Sequence, residues 1–330
     1  MKIIVYSYHP QHDYLKLLLK ELDKITAIKL VRFRELVKLL LLDNNFIIHL
    51  QFPIKQLEFL AILLLAKIKK IKIIWTPHDL KPLSKNKSYF LLNYFLKLVD
   101  KIIVLSRYNQ QELINNNNIE KDKIEIMPLG NFNFYNQYQI PKNMARNKLK
   151  INKDKIVFLQ FGPYRYYKGY HLSAGAFQAL PHDLKNKAEI IFAGKIWNQD
   201  KPLNINLKSI NTTYLGNKYL SQEEIGIVFS VADVVLYPYL WITQSGSLFL
   251  SLAFGKACIA SNIGGIPEII TNNKEGLLIN PDVAELKEAM IKFIEKPQLI
   301  KEYGNNSLKK SKKYSWPEIA QKHLKLYKKL

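Results

Sequence analysis

Cationic side chains on a glycine-containing loop between a strand and a helix suit a diphosphate, and residues 161–169, FGPYRYYKG, make such a loop. Gly162 lets backbone approach a ligand closely, Arg165 and Lys168 supply charge, and Gly169 opens a helix whose free N–H groups add to the attraction. Arg165 is the only arginine after residue 150, in a chain whose 49 basic residues are 44 lysines and 5 arginines. A second segment, TQSGSLFLSLAFGKACIASNIGGIPE at 243–268, places Gln244 and the Ser245-Gly246-Ser247 turn ahead of an apolar helix, where hydroxyls and helix N–H groups suit a phosphate or a ribose. Gly264-Gly265 follows the next strand, with Glu268 near a helix start, and Gly194-Lys195 follows another strand. Each glycine pair alone is a common turn, but several at successive strand ends of one half form a pattern.

In the first half, TPHDL at 76–80 puts His78 just after a strand, where an imidazole can contact a sugar or move an acceptor proton. His9 and His12 are the only histidines with ligand-like spacing, with Asp13 beside the latter, and a polar loop explains them better than a metal site. There is no Asp-x-Asp pair to carry a cation between phosphates, so no metal is expected.

These residues need elements to position them. Short apolar runs at 2–8, 46–51, 72–76, 101–106 and 123–127 read as strands alternating with helices at about 13–23, 54–69, 89–99 and 109–116. Residues 130–153 lapse into a polar, aromatic, proline-containing stretch that reads as a linker. Alternation resumes with strands at 156–162, 189–194, 234–239 and 257–262 and helices at about 169–179, 222–230, 247–254, 283–295 and 298–311. Continuous apolar strands between helices imply parallel sheets covered on both faces, hence an α/β fold of two doubly wound halves. Ligands in such sheets bind at the strands' C-terminal ends, where all the segments above lie.

Composition bounds the rest. At 330 residues, 48% hydrophobic and 23% charged, the chain has the make-up of a globular protein with two cores. One cysteine, Cys258, precludes an internal disulfide framework and fits a reducing compartment, so a cytoplasmic location is expected. The N-terminal apolar run is too short for a signal peptide, and no stretch reaches about 18 uncharged apolar residues. The formal charge of +22 rests on lysine in a chain also rich in asparagine and isoleucine, which points to compositional drift, and the scarcity of arginine argues against nucleic acid as a partner. Two clusters stand out in the first half: Lys29, Arg32, Arg34 and Lys38 leading into 39–42, and Lys67, Lys69, Lys70 and Lys72 after the apolar run at 59–66. Both read as basic edges of amphipathic helices, either plain solvated faces or a peripheral docking face for anionic membrane.

Taken in order along nearly the whole chain, these motifs resemble glycosyltransferase family 4. The likeness runs through HDL at 78–80, VDKIIVLS at 99–106, MPLGNFNFY at 127–135, FGPYRYYKG, IIFAGK at 190–195, ADVVLYPY at 232–239, SGS to AFGKACIAS, GGIPE and YSWPEIA at 314–320. It implies the GT-B architecture: two Rossmann-like domains facing a cleft, an acceptor domain over 1–145, a donor domain over 146–315, and a closing helix at 316–330 returning to the first. It implies Arg165 and Lys168 on the donor diphosphate, His78 as the cleft histidine, and donor contacts from Gly162, Gly194, Lys195, Gln244, Ser245, Gly246, Ser247 and Glu268. Tyr8, His9 and His12 would then face the acceptor. The implied reaction is transfer of a hexose from a UDP- or GDP-sugar to a glycan or lipid-linked acceptor in cell-surface polysaccharide synthesis, with retention and without a metal, the nucleotide sugar being substrate and no cofactor being needed. Two departures matter. The family's glutamate pair falls on Ile242 and Leu250, and the glycines expected after the first strand are replaced by Ser7-Tyr8-His9-Pro10. A non-catalytic nucleotide- or membrane-binding homologue and a nucleotide-sugar epimerase therefore stand as alternatives.

Overall fold

The computed structural model describes residues 2–51, 55–78, 92–195, 212–215 and 219–330, with side chains omitted for 212–215. The chain forms two compact units, residues 1–130 with 314–330, and residues 131–313.

In the first unit the strands are β1 (Lys2–Ser7), β2 (Ala27–Val31), β3 (Ile47–Gln51), β4 (Ile73–Thr76), β5 (Lys101–Val104) and β6 (Ile124–Ile126), in spatial order β2-β1-β3-β4-β5-β6. All pairings are parallel. Leaving β1, the chain builds first to one side and then to the other, so the topological switch lies between β1 and β3. Alternate residues of the central strands, Ile48, Leu50, Ile73 and Trp75 among them, enter an apolar cluster with Phe59, Ile62 and Leu63 of the helix Gln56–Ile68. β2 was not anticipated: AIKLV is short and half-exposed at the sheet edge. Lys29 therefore lies in a strand and not on a helix, and the basic helical edge begins at Arg32, ahead of the helix Phe33–Leu42.

The second unit carries β7 (Ile156–Phe161), β8 (Ala188–Ala193), β9 (Thr212–Leu215), β10 (Val234–Tyr237), β11 (Ala257–Ser261) and β12 (Gly276–Ile279), in order β12-β11-β10-β7-β8-β9. These pairings too are all parallel, with the switch between β7 and β10. Phe158, Ile190, Phe192, Leu236 and Ile259 fill one face with the helices Tyr170–Gln178 and Val283–Glu295.

The stretch read as a linker is largely structured, and it belongs to the second unit, which therefore begins earlier than the expected boundary at 145/146. The Tyr138 hydroxyl donates to Gln222 Oε1 at 2.8 Å, and the Ile140 amide donates to Ser230 Oγ at 3.1 Å. The helix Lys142–Leu149 then buries Arg146, 2% exposed, whose Nη2 donates to Asp233 Oδ2 at 2.7 Å. Asp233 also accepts from Lys142 Nζ and, at 2.8 Å, from the Val157 amide, so this charge inside the unit is fully compensated. Such tertiary pairing has no signature in local periodicity.

The closing helix Trp316–Lys328 starts with Pro317 in its first turn and lies in the first unit. Trp316 packs where a Cβ on Gly130 would sit 2.3 Å from its indole, and its ring lies 5.5 Å from that of Tyr14. Further along, His323 and Tyr327 are fully buried, their rings 5.8 and 5.7 Å from the His49 ring. Burial lowers the His323 imidazole to about 4, and burial also holds His49 well below 6.5.

Both histidines are neutral when folded and take up protons once unfolded, so their contribution is fully present above pH 6.5 and is lost as pH falls from 6.5 towards 4. For His323 alone the span corresponds to about 3 kcal/mol. Urea unfolding at pH 7.5 and pH 5 is expected to show a lower midpoint for the first unit at pH 5, and a smaller drop in His323→Leu. An unchanged midpoint would contradict the neutral burial of these rings.

Candidate functional site

In the second unit the loops after β7, β8, β10 and β11 emerge at one end of the sheet. The loop after β7 turns at Gly162, which has φ +113°, and its amide bonds to the Ala193 carbonyl at 2.9 Å. Gly194, at φ +150°, lies so close that a Cβ there would sit 2.0 Å from the Gly162 carbonyl oxygen. The Tyr170 hydroxyl donates to that same oxygen at 2.7 Å, and the Tyr164 amide donates to the Lys195 carbonyl at 2.8 Å. The β7 and β8 loops are thereby fastened together.

Lys168 ends the short 3₁₀ turn Tyr166–Lys168 and points back over Gly162, where a Cβ would meet its Nζ at 2.7 Å. The side chain is buried, and its carbonyl accepts from Gln160 Nε2 at 2.7 Å. Its ammonium donates to the Tyr239 hydroxyl at 3.3 Å, and among the described residues no carboxylate pairs with it. The Tyr239 oxygen lies 3.3 Å from both Ser245 Oγ and Ser247 Oγ, which are 2.8 Å from each other. Ser245 is the N-cap of the helix Gly246–Ala253. A buried ammonium, three hydroxyls and a helix N-terminus thus converge between the ends of β7 and β10, where the sheet's topology changes direction. Burying a cation without a counter-charge is expensive, and an anion placed here would relieve that cost.

The remaining donor candidates lie on adjoining loops. Gly264, at φ +55°, passes so near that a Cβ would be 1.9 Å from the Ile242 carbonyl, and the Gly265 amide donates to the Thr243 carbonyl at 3.0 Å. That contact ties the Gly264–Gly265 loop to the one bearing Gln244, and Glu268 follows in the turn of helix Ile266–Ile269; both side chains are half-buried. Arg165 is half-buried on the β7 loop, and Lys195 Nζ lies 5.0 Å from the ring centre of Tyr219. The loop from Gly194 continues past Lys195, and residues 196 and 197 lie outside the described residues. Leu250, standing where the family's glutamate would be, is buried. Tyr239 was missed in the sequence, where a tyrosine two residues past a strand end carries no signal until its hydroxyl is seen beside Lys168, Ser245 and Ser247.

In the first unit His78 follows β4 with φ +60°, a left-handed conformation that a non-glycine residue holds only when its surroundings enforce it. His78 Nε2 lies 3.0 Å from Gln51 Oε1, and its ring meets Tyr14 edge-on at 4.6 Å. Burial, with His12 and His323 nearby, keeps its imidazole well below 6.5. Asp79 and Leu80, the rest of that motif, are outside the described residues. After β1, Tyr8 and His9 are exposed, with Lys55 Nζ 5.3 Å from the Tyr8 ring centre and the His9 amide donating to Ser7 Oγ at 3.0 Å. His12 Nδ1 accepts from the Tyr14 amide at 3.3 Å and so caps the helix Asp13–Leu22. Among the described residues no three His, Cys, Asp or Glu side chains cluster as a metal site.

Two doubly wound Rossmann-like units in one chain, each with polar groups at its topological switch, define the GT-B class. Solved structures agree: sucrose-phosphate synthase from Thermosynechococcus elongatus superposes with TM-score 0.80 at 16% identity, covering 100% of this chain and 99% of that one. Anabaena HepE, crystallised in complex with UDP, superposes with TM-score 0.79 at 15% identity, covering 100% of both chains. The family model for glycosyl transferases group 1 matches residues 141–310 and that for glycosyltransferase family 4 matches residues 14–130, so the chain belongs to this family of glycosyltransferases. Alpha-maltose-1-phosphate synthase of Mycolicibacterium smegmatis is 29% identical over 119 residues, 34% of this chain and 31% of that protein. An uncharacterised glycosyltransferase of Methanocaldococcus jannaschii is 29% identical over 164 residues, 47% of this chain and 40% of that protein. The matched stretch is thus under half the length of either relative.

Gly194→Ala should displace the fastened loops, since both its φ and the 2.0 Å approach exclude a side chain. The expected outcome is a loss of about 2 kcal/mol or more in the second unit's unfolding free energy. An unaltered denaturation curve would show that the loops adapt freely.

Proposed function

We propose that this protein transfers a hexose from a UDP- or GDP-sugar to a glycan or lipid-linked acceptor in cell-surface polysaccharide synthesis. The observation that carries this reading is Lys168, a buried ammonium with a hydroxyl partner and no acidic one among the described residues, set at the switch point beside Ser245 and Ser247. It fits a diphosphate, and the UDP complex of the like-folded HepE is in keeping with a nucleotide there.

In this reading the bond from the sugar's anomeric carbon to the diphosphate oxygen breaks, and the acceptor hydroxyl oxygen bonds to that carbon from the same face. The hydroxyl's proton passes to the departing phosphate, and the nucleoside diphosphate is released with the sugar's configuration retained. Lys168 and Arg165 neutralise charge growing on the leaving group, so the electrostatic help comes from the chain itself without a metal, and the nucleotide sugar is substrate and not cofactor. Gly162 and Gly194 give close backbone access. Lys195, Gln244, Gly246 and Glu268 line adjoining loops for the rest of the donor. Tyr8, His9, His12 and His78 present the first unit's polar groups to the acceptor.

Thermal stability measured against UDP, GDP, ADP, CMP and dTDP tests the donor assignment. One nucleotide at about 100 times its Kd contributes roughly 2.7 kcal/mol, a shift absent in Lys168→Met. Arg165→Ala should keep the melting temperature and lose transfer. No stabilisation by any nucleotide would favour a non-catalytic homologue, and donor conversion without acceptor would favour an epimerase.

A peripheral attachment to anionic membrane belongs to the same proposal. No helix of the described residues is long and apolar enough to cross a membrane. The helix Gln56–Ile68 is apolar on two faces: Phe59, Ile62 and Leu63 are buried, while Leu57 and Ile68 point outward at 82% and 77% exposure. Lys69 Nζ donates to the Leu41 carbonyl at 3.3 Å, which brings Leu42, 84% exposed, to the same end. Exposed Arg34, Lys38, Lys67 and Lys70 lie on the same two helices or just past them. Exposed apolar residues on helices that also carry cations suit an anionic bilayer. Flotation with vesicles containing anionic lipid should recover the protein, and neutral vesicles or the pair Leu42→Asp, Ile68→Asp should not. Recovery indifferent to lipid charge would overturn the electrostatic face.

A further inference from the structure

β3 reads IIHLQ, and its alternate residues serve two different surroundings. Ile48 and Leu50 enter the apolar cluster, whereas His49 and Gln51 share the opposite face, and both are completely buried. Two polar side chains in the middle of a buried parallel sheet are destabilising unless each finds partners. Here they find one another, together with Thr76 of the next strand and Tyr327 of the closing helix. His49 Nδ1 lies 2.7 Å from the Tyr327 hydroxyl, His49 Nε2 lies 2.8 Å from Thr76 Oγ1 and 3.0 Å from Gln51 Nε2, and Gln51 Oε1 lies 3.0 Å from His78 Nε2. The result is one continuous hydrogen-bonded chain, Tyr327–His49–Gln51–His78, anchored in a helix some 250 positions further along the sequence than the histidine it reaches.

We infer that Gln51, His49 and Tyr327 are positioning residues that set which nitrogen of His78 carries the proton. A carboxamide has one donating end and one accepting end, so two neutral histidines bonded to its opposite ends must present opposite faces, one a lone pair and the other an N–H. With its amide nitrogen towards His49, Gln51 donates to His49 Nε2, as the Thr76 hydroxyl then also does, which puts the His49 proton on Nδ1, where it is donated to the Tyr327 oxygen. Gln51 Oε1 accepts from His78 Nε2–H, so the lone pair of His78 is on Nδ1. From that nitrogen His78 offers an acceptor and not a proton. A sugar hydroxyl meeting it would be oriented as a donor, with its oxygen lone pairs turned elsewhere. The left-handed backbone of His78 is consistent with this, because the ring's position is held by Gln51 and Tyr14 against a conformation the backbone does not favour. The closing helix thus does more than pack. Its Tyr327 stabilises the far end of a tautomer-selecting chain, which gives a reason for a buried tyrosine hydroxyl at that position.

This inference rests on the proposed acceptor-side role of His78, and its test separates the two. In the full chain labelled with ¹⁵N-histidine, and assigned with His78→Gln, long-range ¹H–¹⁵N correlation reads the tautomer of each ring. His78 is expected as the Nε2–H tautomer and His49 as the Nδ1–H tautomer. Gln51→Leu should leave His78 a mixture, and Tyr327→Phe, which keeps the ring's shape, should weaken the His49 preference and with it that of His78. Nucleotide-induced thermal shifts, which report the other unit, should stay unchanged in both variants. Transfer should fall by about tenfold to a hundredfold in kcat/KM for the acceptor in Gln51→Leu, with the donor KM unaltered. A wild-type His78 found as the Nδ1–H tautomer, or one whose tautomer is indifferent to both substitutions, overturns the inference. If Gln51→Leu does not fold, Tyr327→Phe alone decides it. If the tautomers respond as expected and no sugar transfer is found with any donor, the chain stands and the proposed function falls.

Discussion

A parallel strand buried on both faces leaves little space along its length for side chains that do chemistry. Its polar groups are carried past its C-terminal end, where backbone N–H groups and helix N-termini are also left without partners in the sheet. Because every strand of both sheets runs the same way as its neighbours, each unit gathers its loops at one end. The points where the winding changes direction, between β1 and β3 and between β7 and β10, then leave room between diverging connections. Lys168, Tyr239, Ser245 and Ser247 occupy one such point. Gln51 stands at the other, with His78 beside it at the end of β4.

The two units use this common plan with opposite electrostatics. In the second, a cation is buried against hydroxyls, and the close glycine approaches at Gly162 and Gly194 fasten together the loops around it. In the first, burial keeps His49 and His78 neutral, and the polar atoms are paid for by hydrogen bonds to one another. A positive, incompletely compensated pocket suits a diphosphate, whereas a neutral, ordered network suits the uncharged hydroxyls of a sugar. This division accords with a donor on the second unit and an acceptor on the first.

Much of this was legible in advance. The apolar runs located nine of the twelve described strands, those where the run is continuous, as at KIIV and VVLY. AIKLV, TTYL and GLLI were passed over because a short edge strand carries too few residues for either alternation or continuity to show. Residues 130–153 looked like a linker because the interactions that order them, such as Arg146 with Asp233, join residues far apart in sequence. Gly162, Lys168, Ser245 and Ser247 were identifiable from residue type and position after a strand. Tyr239 was not, since a tyrosine near a strand end has no chemical signature until its hydroxyl is seen to meet a lysine and two serines.

Sequence by itself determined the two doubly wound halves, the strand-end placement of the residues proposed to hold the diphosphate, and the family, because these follow from local hydrophobic pattern and from the order of short motifs. Tertiary structure alone decided that Tyr239 bridges Lys168 to the serine turn, that the polar stretch after residue 130 folds onto the second unit, and that Tyr327 reaches His78 through His49 and Gln51. Each of these depends on distances between residues remote in the chain. Hydrogen bonds and ion pairs act over about 3 Å, and no periodicity in the sequence reports which distant side chains come that close.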